Sequence, residues 1–261
     1  MQLIAADIGN SSTKVAVNNV SDDKRWCMQS VFRGDEPIAF DADASGMSQQ
    51  PAFWSVSSVN KQRESKLKQW VEKHRPNDQF HTLAESDIPL ESDVESRTQL
   101  GRDRLLAAWT AVELNDRSGP VVVVDAGTAV TIDLVSSDLV FQGGHIFPGA
   151  ESNFRFLAQS TDALPDLSSN KRTNQFGDLA FGAVGKSTNE AILQGVYQSQ
   201  IGAVIGVVNA MSRRHKIEPV VYSTGGGIAD ISDALPNEWI HVPDLVLIGA
   251  KMIGQQLVDD K

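Results

Sequence analysis

Three aspartates stand where a carboxylate could do chemistry. Asp125 follows the run Val121-Val122-Val123-Val124 and opens the turn Asp125-Ala126-Gly127-Thr128. Consecutive β-branched residues fit a strand covered on both faces. Gly127 permits φ > 0 and is expected to leave backbone N–H groups uncovered. Val130, Ile132 and Leu134 then alternate with Thr131, Asp133 and Val135, so a second strand runs back. A strand tip of this kind suits a phosphate-bearing ligand. Backbone N–H groups and the Thr128 hydroxyl would hold the oxygens, and Asp125 a counter-cation. Asp7 repeats the device, since residues 3–17 read as strand, Asp7-Ile8-Gly9 turn, strand. The two aspartates are 125 − 7 = 118 residues apart in a chain of 261. Alone, either motif is an ordinary hairpin turn; two copies with matching flanks argue for two related halves. The third carboxylate is Asp103, in Gly101-Arg102-Asp103-Arg104, at the head of the apolar run 105–112. The pattern reads as a helix start, where an acidic residue by itself need only complement the helix dipole.

Other elements must carry these residues. The pattern predicts strands over 26–32, 52–59 and 80–83 and a helix over 61–74, with a loop over 33–50 and no periodicity over 85–96. Gly119-Pro120 separates the halves, giving domains 1–118 and 119–261. In the second half a strand over 139–147 contains Gly143-Gly144, a sign of close backbone approach, and a helix is expected over 151–163. A strand over 218–224 stops on Ser223-Thr224-Gly225-Gly226-Gly227, followed by a helical pattern. Strand, glycine-rich turn and helix start together would seat a phosphate or an adenosine. Residues 245–258 form a last helix with Val246, Ile248, Met252 and Ile253 inward.

Residues 191–212 are uncharged. Their glutamines and Asn209 make them too polar for a good membrane span. Ile192, Val196, Ile201, Val204, Ile205 and Val208 recur at helical spacing, and Gly202 and Gly206 would admit another backbone, so the segment reads as a central helix at a subunit interface. The net charge of −10 repels nucleic acid and anionic membrane, and also ATP, so a nucleotide site here needs local cations. Cys27 is the single cysteine, which fits a reducing, cytoplasmic setting, and the N-terminus lacks a basic signal-peptide region. The five histidines have no zinc-ligand spacing.

Taken together the motifs resemble a known family. Asp7-Ile8-Gly9-Asn10-Ser11 resembles a first phosphate motif, Asp125-Ala126-Gly127-Thr128-Ala129 a second, and Ser223-Thr224-Gly225-Gly226-Gly227 an adenosine motif of the acetate and sugar kinase/Hsp70/actin superfamily. Gly101-Arg102-Asp103-Arg104, Gly143-Gly144-His145-Ile146-Phe147-Pro148-Gly149 and Ala163-Leu164-Pro165 are similar to type III pantothenate kinase. The resemblance implies an α/β fold of duplicated ribonuclease H-like domains, the actin-like ATPase fold, with an ATP cleft between them. It implies transfer of the ATP γ-phosphoryl to pantothenate, giving 4'-phosphopantothenate, the first step of coenzyme A biosynthesis. Asp103 would be the catalytic base, kept ionised by the helix N-terminus and Arg104. Asp7, Ile8, Gly9, Asn10, Ser11, Ser12, Thr13, Lys14, Thr128, Gly225 and Gly226 would bind ATP. Gly101, Arg102, Asp103, Arg104 and Thr188 would bind pantothenate. Asp7 would hold Mg²⁺ through water, and Asp125 a monovalent cation, K⁺ or NH₄⁺. The resemblance also implies a homodimer.

The chain departs from the pattern where Val94 and Arg97 hold places that often carry Tyr and Pro, Ser187 stands for Asn, and Ser11 for Thr. Other small-molecule kinases of the superfamily remain alternatives, as does a non-catalytic relative of the transcription accessory factor type. An actin-type nucleotide-binding protein would normally need a longer chain.

Overall fold

The computed structural model describes residues 1–17, 27–33, 47, 50–168 and 182–260. They divide into two compact units, Met1–Thr110 with Asp244–Lys261, and Ala111–Pro243.

In the first unit β1 (Gln2–Ile8), β2 (Ser12–Val17), β3 (Cys27–Arg33), β4 (Ala52–Ser58) and β5 (Gln79–Thr82) form one sheet, ordered β3-β2-β1-β4-β5. β1, β2 and β3 make an antiparallel meander, whereas β4 and β5 run parallel to their inner neighbours. Between β4 and β5 runs α1 (Lys61–His74), begun by Asn60, whose side-chain oxygen accepts from the Arg63 N–H at 3.1 Å. Leu67 and Val71 of α1 pack with Ile4, Ala6, Ile8, Val15, Trp54 and Val56. Residues 83–100 carry only 3-10 turns at Glu85–Asp87 and Arg97–Gln99 and the two-residue β6 (Glu91–Ser92) before α2 (Arg102–Leu114).

A helix from the far end of the chain, α5 (Leu245–Asp259), lies on β1 and β4 of this unit. The sequence division at 118/119 keeps that helix with the second half; packing puts it in the first unit. Its glycines explain the fit. A Cβ at Gly249 would stand 2.2 Å from Thr110 Oγ1, and one at Gly254 would stand 2.6 Å from Ser55 Cβ. The Ser55 hydroxyl donates to the Ala250 carbonyl at 2.6 Å. Val246 and Ile253 are buried as the pattern requires, while Ile248 and Met252 are only half-buried.

The second unit repeats the plan. β7 (Val121–Ala126), β8 (Ala129–Val135) and β9 (Val140–Pro148) form an antiparallel meander, and β10 (Val220–Thr224) and β11 (Ile240–His241) run parallel beside β7, in the order β11-β10-β7-β8-β9. That order matches β5-β4-β1-β2-β3 element for element, which is the expected duplication of a ribonuclease H-like domain. After β9 come α3 (Ala150–Ser160) and α4 (Thr188–His215). Ser187 and Glu190 cap α4 reciprocally, with Glu190 N donating to Ser187 Oγ and Ser187 N to Glu190 Oε2, each at 3.2 Å. The predicted strand over 26–32 lies partly, and the predicted loop over 33–50 mostly, outside the described residues.

Two expectations fail here. No α-helix follows Gly227; the chain makes 3-10 turns at Ile228–Asp230 and Ser232–Ala234 and leaves them before Pro236. The apolar face of α4 is also not a free seam. Val204 is fully buried within the unit, where Ile201, Val204 and Val208 pack on Val122, Val124, Ile132 and Leu134. Along its middle α4 leaves small residues outward: Gly195, Ser199, Gly202 and Gly206 are exposed, and a Cβ at each of the three glycines would meet open space. Thr188–His215 is long and apolar enough to cross a membrane by length and composition alone, and 44% of its most apolar window is buried within the unit.

The α5 contact yields a stability test. Gly249→Val places branched carbons against Thr110 and Leu106 and should cost about 1–3 kcal/mol, read as a lowered urea midpoint. An unchanged midpoint would mean that α5 does not sit where it is described.

Candidate active site

In the first unit the β1–β2 turn brings the first motif together. Asp7 lies in register with Lys14 on β2 and Ser57 on β4, so all three point to one face of the sheet. Gly9 N donates to the Ser12 carbonyl at 2.9 Å, and Asn10 and Ser11 are exposed at the tip. The Lys14 ammonium lies 2.6 Å from Asp244 Oδ1, at the residue that begins α5.

Asp103 sits in the first turn of α2. Its Oδ1 accepts the Arg104 N–H at 2.8 Å. A Cβ at Gly101 would stand 2.5 Å from that same oxygen, so the carboxylate keeps its place only over a glycine. Burial pushes the Asp103 carboxyl above its usual 3.8, against the Arg104 N–H, the Arg104 guanidinium and the Arg102 guanidinium, which all pull it down. Arg104 favours the ionised form, the direction expected of it, while lost hydration outweighs it in the sign of the shift. Arg102 is turned aside: Nη1 donates to the Leu83 carbonyl at 2.7 Å, and Nε lies 3.7 Å from Glu85 Oε1.

In the second unit the β7–β8 turn is built almost wholly from backbone contacts. Asp125 is half-buried at the end of β7, and Gly127 and Thr128 are exposed. Gly127 N donates to the Ala129 carbonyl at 2.9 Å, so this N–H is not left uncovered as expected; the turn spends it on its own closure, as Gly9 does. The Thr128 carbonyl accepts from Gly149 N at 3.0 Å and from the Ser152 hydroxyl at 2.7 Å. A Cβ at Gly149 would meet the Gly127 carbonyl at 2.1 Å. From β10, Gly225 takes φ +90, and a Cβ there would lie 2.3 Å from Asp125 Oδ1 and 2.4 Å from the Ala126 carbonyl. Gly226 is exposed beside it, and Gly227 N donates to the Ala126 carbonyl at 2.8 Å. Asp125, Thr128, Gly225 and Gly226 thus gather at one edge of this unit. Thr188 lies elsewhere in the unit, exposed at the first residue of α4.

These surroundings bear on which ions fit. Asp125 offers a carboxylate beside the Ala126 carbonyl and close to bare glycine backbone, hard oxygen donors of the kind a hard cation takes. No three His, Cys, Asp or Glu side chains gather into a metal cage among the described residues. A carboxylate such as Asp7 is the kind of ligand Mg²⁺ takes, since that ion keeps its waters and leans on substrate phosphates.

The sequence profile of type III pantothenate kinases matches residues 3–210. The chain belongs to the type III pantothenate kinase family. It is 30% identical over 244 residues to a type III pantothenate kinase of Sulfurihydrogenibium sp. (strain YO3AOP1), covering 89% of this chain and 91% of that one. A protein of the same name from Janthinobacterium sp. (strain Marseille) is 36% identical over 191 residues, covering 68% and 70%. Among solved structures, a conserved Campylobacter jejuni protein, provisionally named a Baf family transcriptional activator, aligns with a TM-score of 0.61 at 21% identity over 98% of this chain and 99% of its own. A non-polymerisable quadruple mutant of ParM aligns with a TM-score of 0.51 at 11% identity over 98% and 99%. At such identities these two carry the fold alone, an actin-like ATPase fold. Membership in a kinase family makes this chain an ATP-using phosphotransferase.

Within that family frame, two contributions had not been assigned from the sequence. Gly149 and Ser152 fix the β7–β8 turn through the Thr128 carbonyl; in the sequence Gly149 stands only as the end of the Gly143–Gly149 motif. Arg97 organises the approach to α2, and it stood out only as a departure from the family pattern.

If Asp103 takes up the substrate proton, Asp103→Asn, which exchanges the carboxylate for an amide at nearly constant shape, should cut turnover by about two orders of magnitude or more while the fold stays intact. A raised carboxyl binds its proton more tightly in the folded chain than in the unfolded one. Its burial cost is thus absent below 3.8 and grows as pH rises through the folded value. The Asn variant escapes that cost, so its thermal midpoint at pH 7 should equal or exceed that of the parent. Full turnover in the variant, or a lowered midpoint, contradicts this account of Asp103.

Proposed function

We propose that this chain phosphorylates the primary hydroxyl of pantothenate, with Asp103 accepting the hydroxyl proton. The observation that carries the reading is the Asp103 carboxylate, held by Arg104 N over Gly101 and pushed up by burial, in a chain of this family. Phosphoryl transfer passes through a loose transition state, so positioning and charge neutralisation matter more than base strength. A carboxyl lifted above its usual value is nevertheless better matched to taking a proton near neutral pH.

The other roles follow the motifs. In the first unit Asp7 meets Mg²⁺ through water, and the segment from Ile8 to Lys14 holds ATP. In the second unit Thr128 takes phosphate oxygens, Gly225 and Gly226 the adenosine, and Asp125 a K⁺ or NH₄⁺ ion. Bound Mg²⁺ and a monovalent cation supply the positive charge that an acidic protein with a polyphosphate substrate lacks. Gly101 and Arg104 contact pantothenate and Arg102 borders them; the resemblance adds Thr188. The working form is a cytoplasmic homodimer. The outward strip Gly195, Gly202 and Gly206 of α4 supports the dimer, because it presents backbone rather than side chains to a second copy.

The deciding experiment is ATP consumption with pantothenate beside a panel of sugars and carboxylic acids. Pantothenate alone should give phosphorylated product; a sugar turning over in its place would reassign the substrate, and no turnover would favour a regulatory relative. Activity should be several-fold or more higher in K⁺ or NH₄⁺ than in Na⁺, and Asp125→Ala should lose both activity and the cation effect. Equal rates in the three salts would remove the cation role of Asp125. Gly206→Arg should leave sedimentation showing monomers; a wild-type chain that sediments as an active monomer would end the dimer proposal.

A further inference from the structure

Residues 83–92 form an irregular connection on the way to α2, and irregular backbone needs donors for its carbonyls. Arg97 supplies them. Its Nη2 donates to the Glu85 and Ile88 carbonyls, each at 3.0 Å, and its Nη1 to the Leu90 carbonyl at 2.6 Å and to Ser92 Oγ at 3.4 Å. One planar fork thus ties together a segment whose apolar anchors Leu83, Ile88 and Leu90 are buried. A lysine could not do this, since its donors radiate from one point.

The same segment grips Arg102 from the other side, through the Leu83 carbonyl at 2.7 Å and the Glu85 carboxylate at 3.7 Å. Glu85 is shared: its carbonyl serves Arg97 and its carboxylate faces Arg102. Arg102 is the first residue of α2, and Asp103 is the next. Asp87 stiffens the segment further by accepting from Ala84 N at 2.8 Å and lying 2.9 Å from His81 Nε2.

We propose that Arg97 is a positioning residue for the kinase reaction: through residues 83–92 it fixes Arg102, and with it the first turn of α2 that aims Asp103. The inference rests on the reading of Asp103 as the proton acceptor. It gives a physical role to a position where the family often carries proline. Here a guanidinium organises the connection from its side chain, where a proline would act only by stiffening its own backbone.

The test compares Arg97→Met, Arg102→Met and the double variant, with kinetics scaled to folded protein. Arg97→Met keeps the apolar stem and removes the fork. It should lower kcat/KM for pantothenate about 10- to 100-fold, mostly in kcat, because a small misplacement of a reacting group is enough for that loss. KM for ATP should stay within about twofold, since only transition-state interactions are lost. If Arg97 acts through Arg102, the double variant should be no worse than the poorer single one; fully additive losses would overturn the route. Arg97→Lys should fail to restore kcat. Should Arg97→Met not fold, Glu85→Gln decides instead, because it keeps the carbonyl for Arg97 and weakens only the hold on Arg102; an unchanged kcat would then overturn the proposal. Asp103→Asn run alongside separates the failures. An active Asn variant sinks the base reading, whereas an inactive one beside a fully active Arg97→Met sinks the positioning role alone.

Discussion

The second phosphate motif depends on backbone meeting backbone without side chains between. Two segments converge on Ala126, Gly127 and Thr128, and each arrives as glycine: Gly149 at the start of α3, and Gly225 and Gly227 after β10. Cβ atoms at Gly149 and Gly225 would stand 2.1 and 2.4 Å from the Gly127 and Ala126 carbonyls, distances no side chain can accommodate without moving the turn. The result is a carboxylate and a hydroxyl at a strand tip, held by hydrogen bonds to carbonyls and surrounded by bare main chain. The first motif is less enclosed. A Cβ at Gly9 would lie at an ordinary 3.4 Å from the Ser12 carbonyl, and the nearby anchor is an ion pair, Lys14 to Asp244. Duplication therefore gave two turns of one topology but two degrees of enclosure.

Much of this was legible because it is local. Period-two alternation and valine runs announced both hairpins, and their spacing announced the repeat. Four-residue apolar spacing marked the inward face of α4, where Ile192, Val196, Ile201, Val204 and Val208 are all buried. What the residues could not say was what that face packs against. Its partner is the β7–β8 sheet of its own unit, and only strand pairing across distant sequence decides that. The destination of α5 was hidden for the same reason: it follows from Gly249 and Gly254 fitting flat on Thr110 and Ser55, contacts more than a hundred residues away in the chain. The missing helix after Gly227 is a different failure. The apolar spacing of Ile228 and Ile231 fits a three-residue period as well as a helical one, and Pro236 leaves too few residues for α-turns to accumulate. Gly127 shows a third kind: a glycine signals freedom, but not whether its N–H faces a ligand or closes its own turn.

The charges around Asp103 explain why a carboxylate flanked by two arginines is nonetheless shifted upward. Arg104 opposes the shift most, through its own N–H at 2.8 Å and its guanidinium. Arg102 opposes it least, although it is the adjacent residue. Its guanidinium is committed to the Leu83 carbonyl and lies 3.7 Å from the Glu85 carboxylate. Had that guanidinium turned toward Asp103, the added attraction would favour the anion and work against a proton acceptor. The loop therefore does two things with one arrangement. It fixes where α2 begins, and it commits the Arg102 guanidinium to the Leu83 carbonyl and the Glu85 carboxylate. Glu85 stands at the join, because its backbone carbonyl is part of the mechanical frame and its carboxylate is part of the electrostatic one.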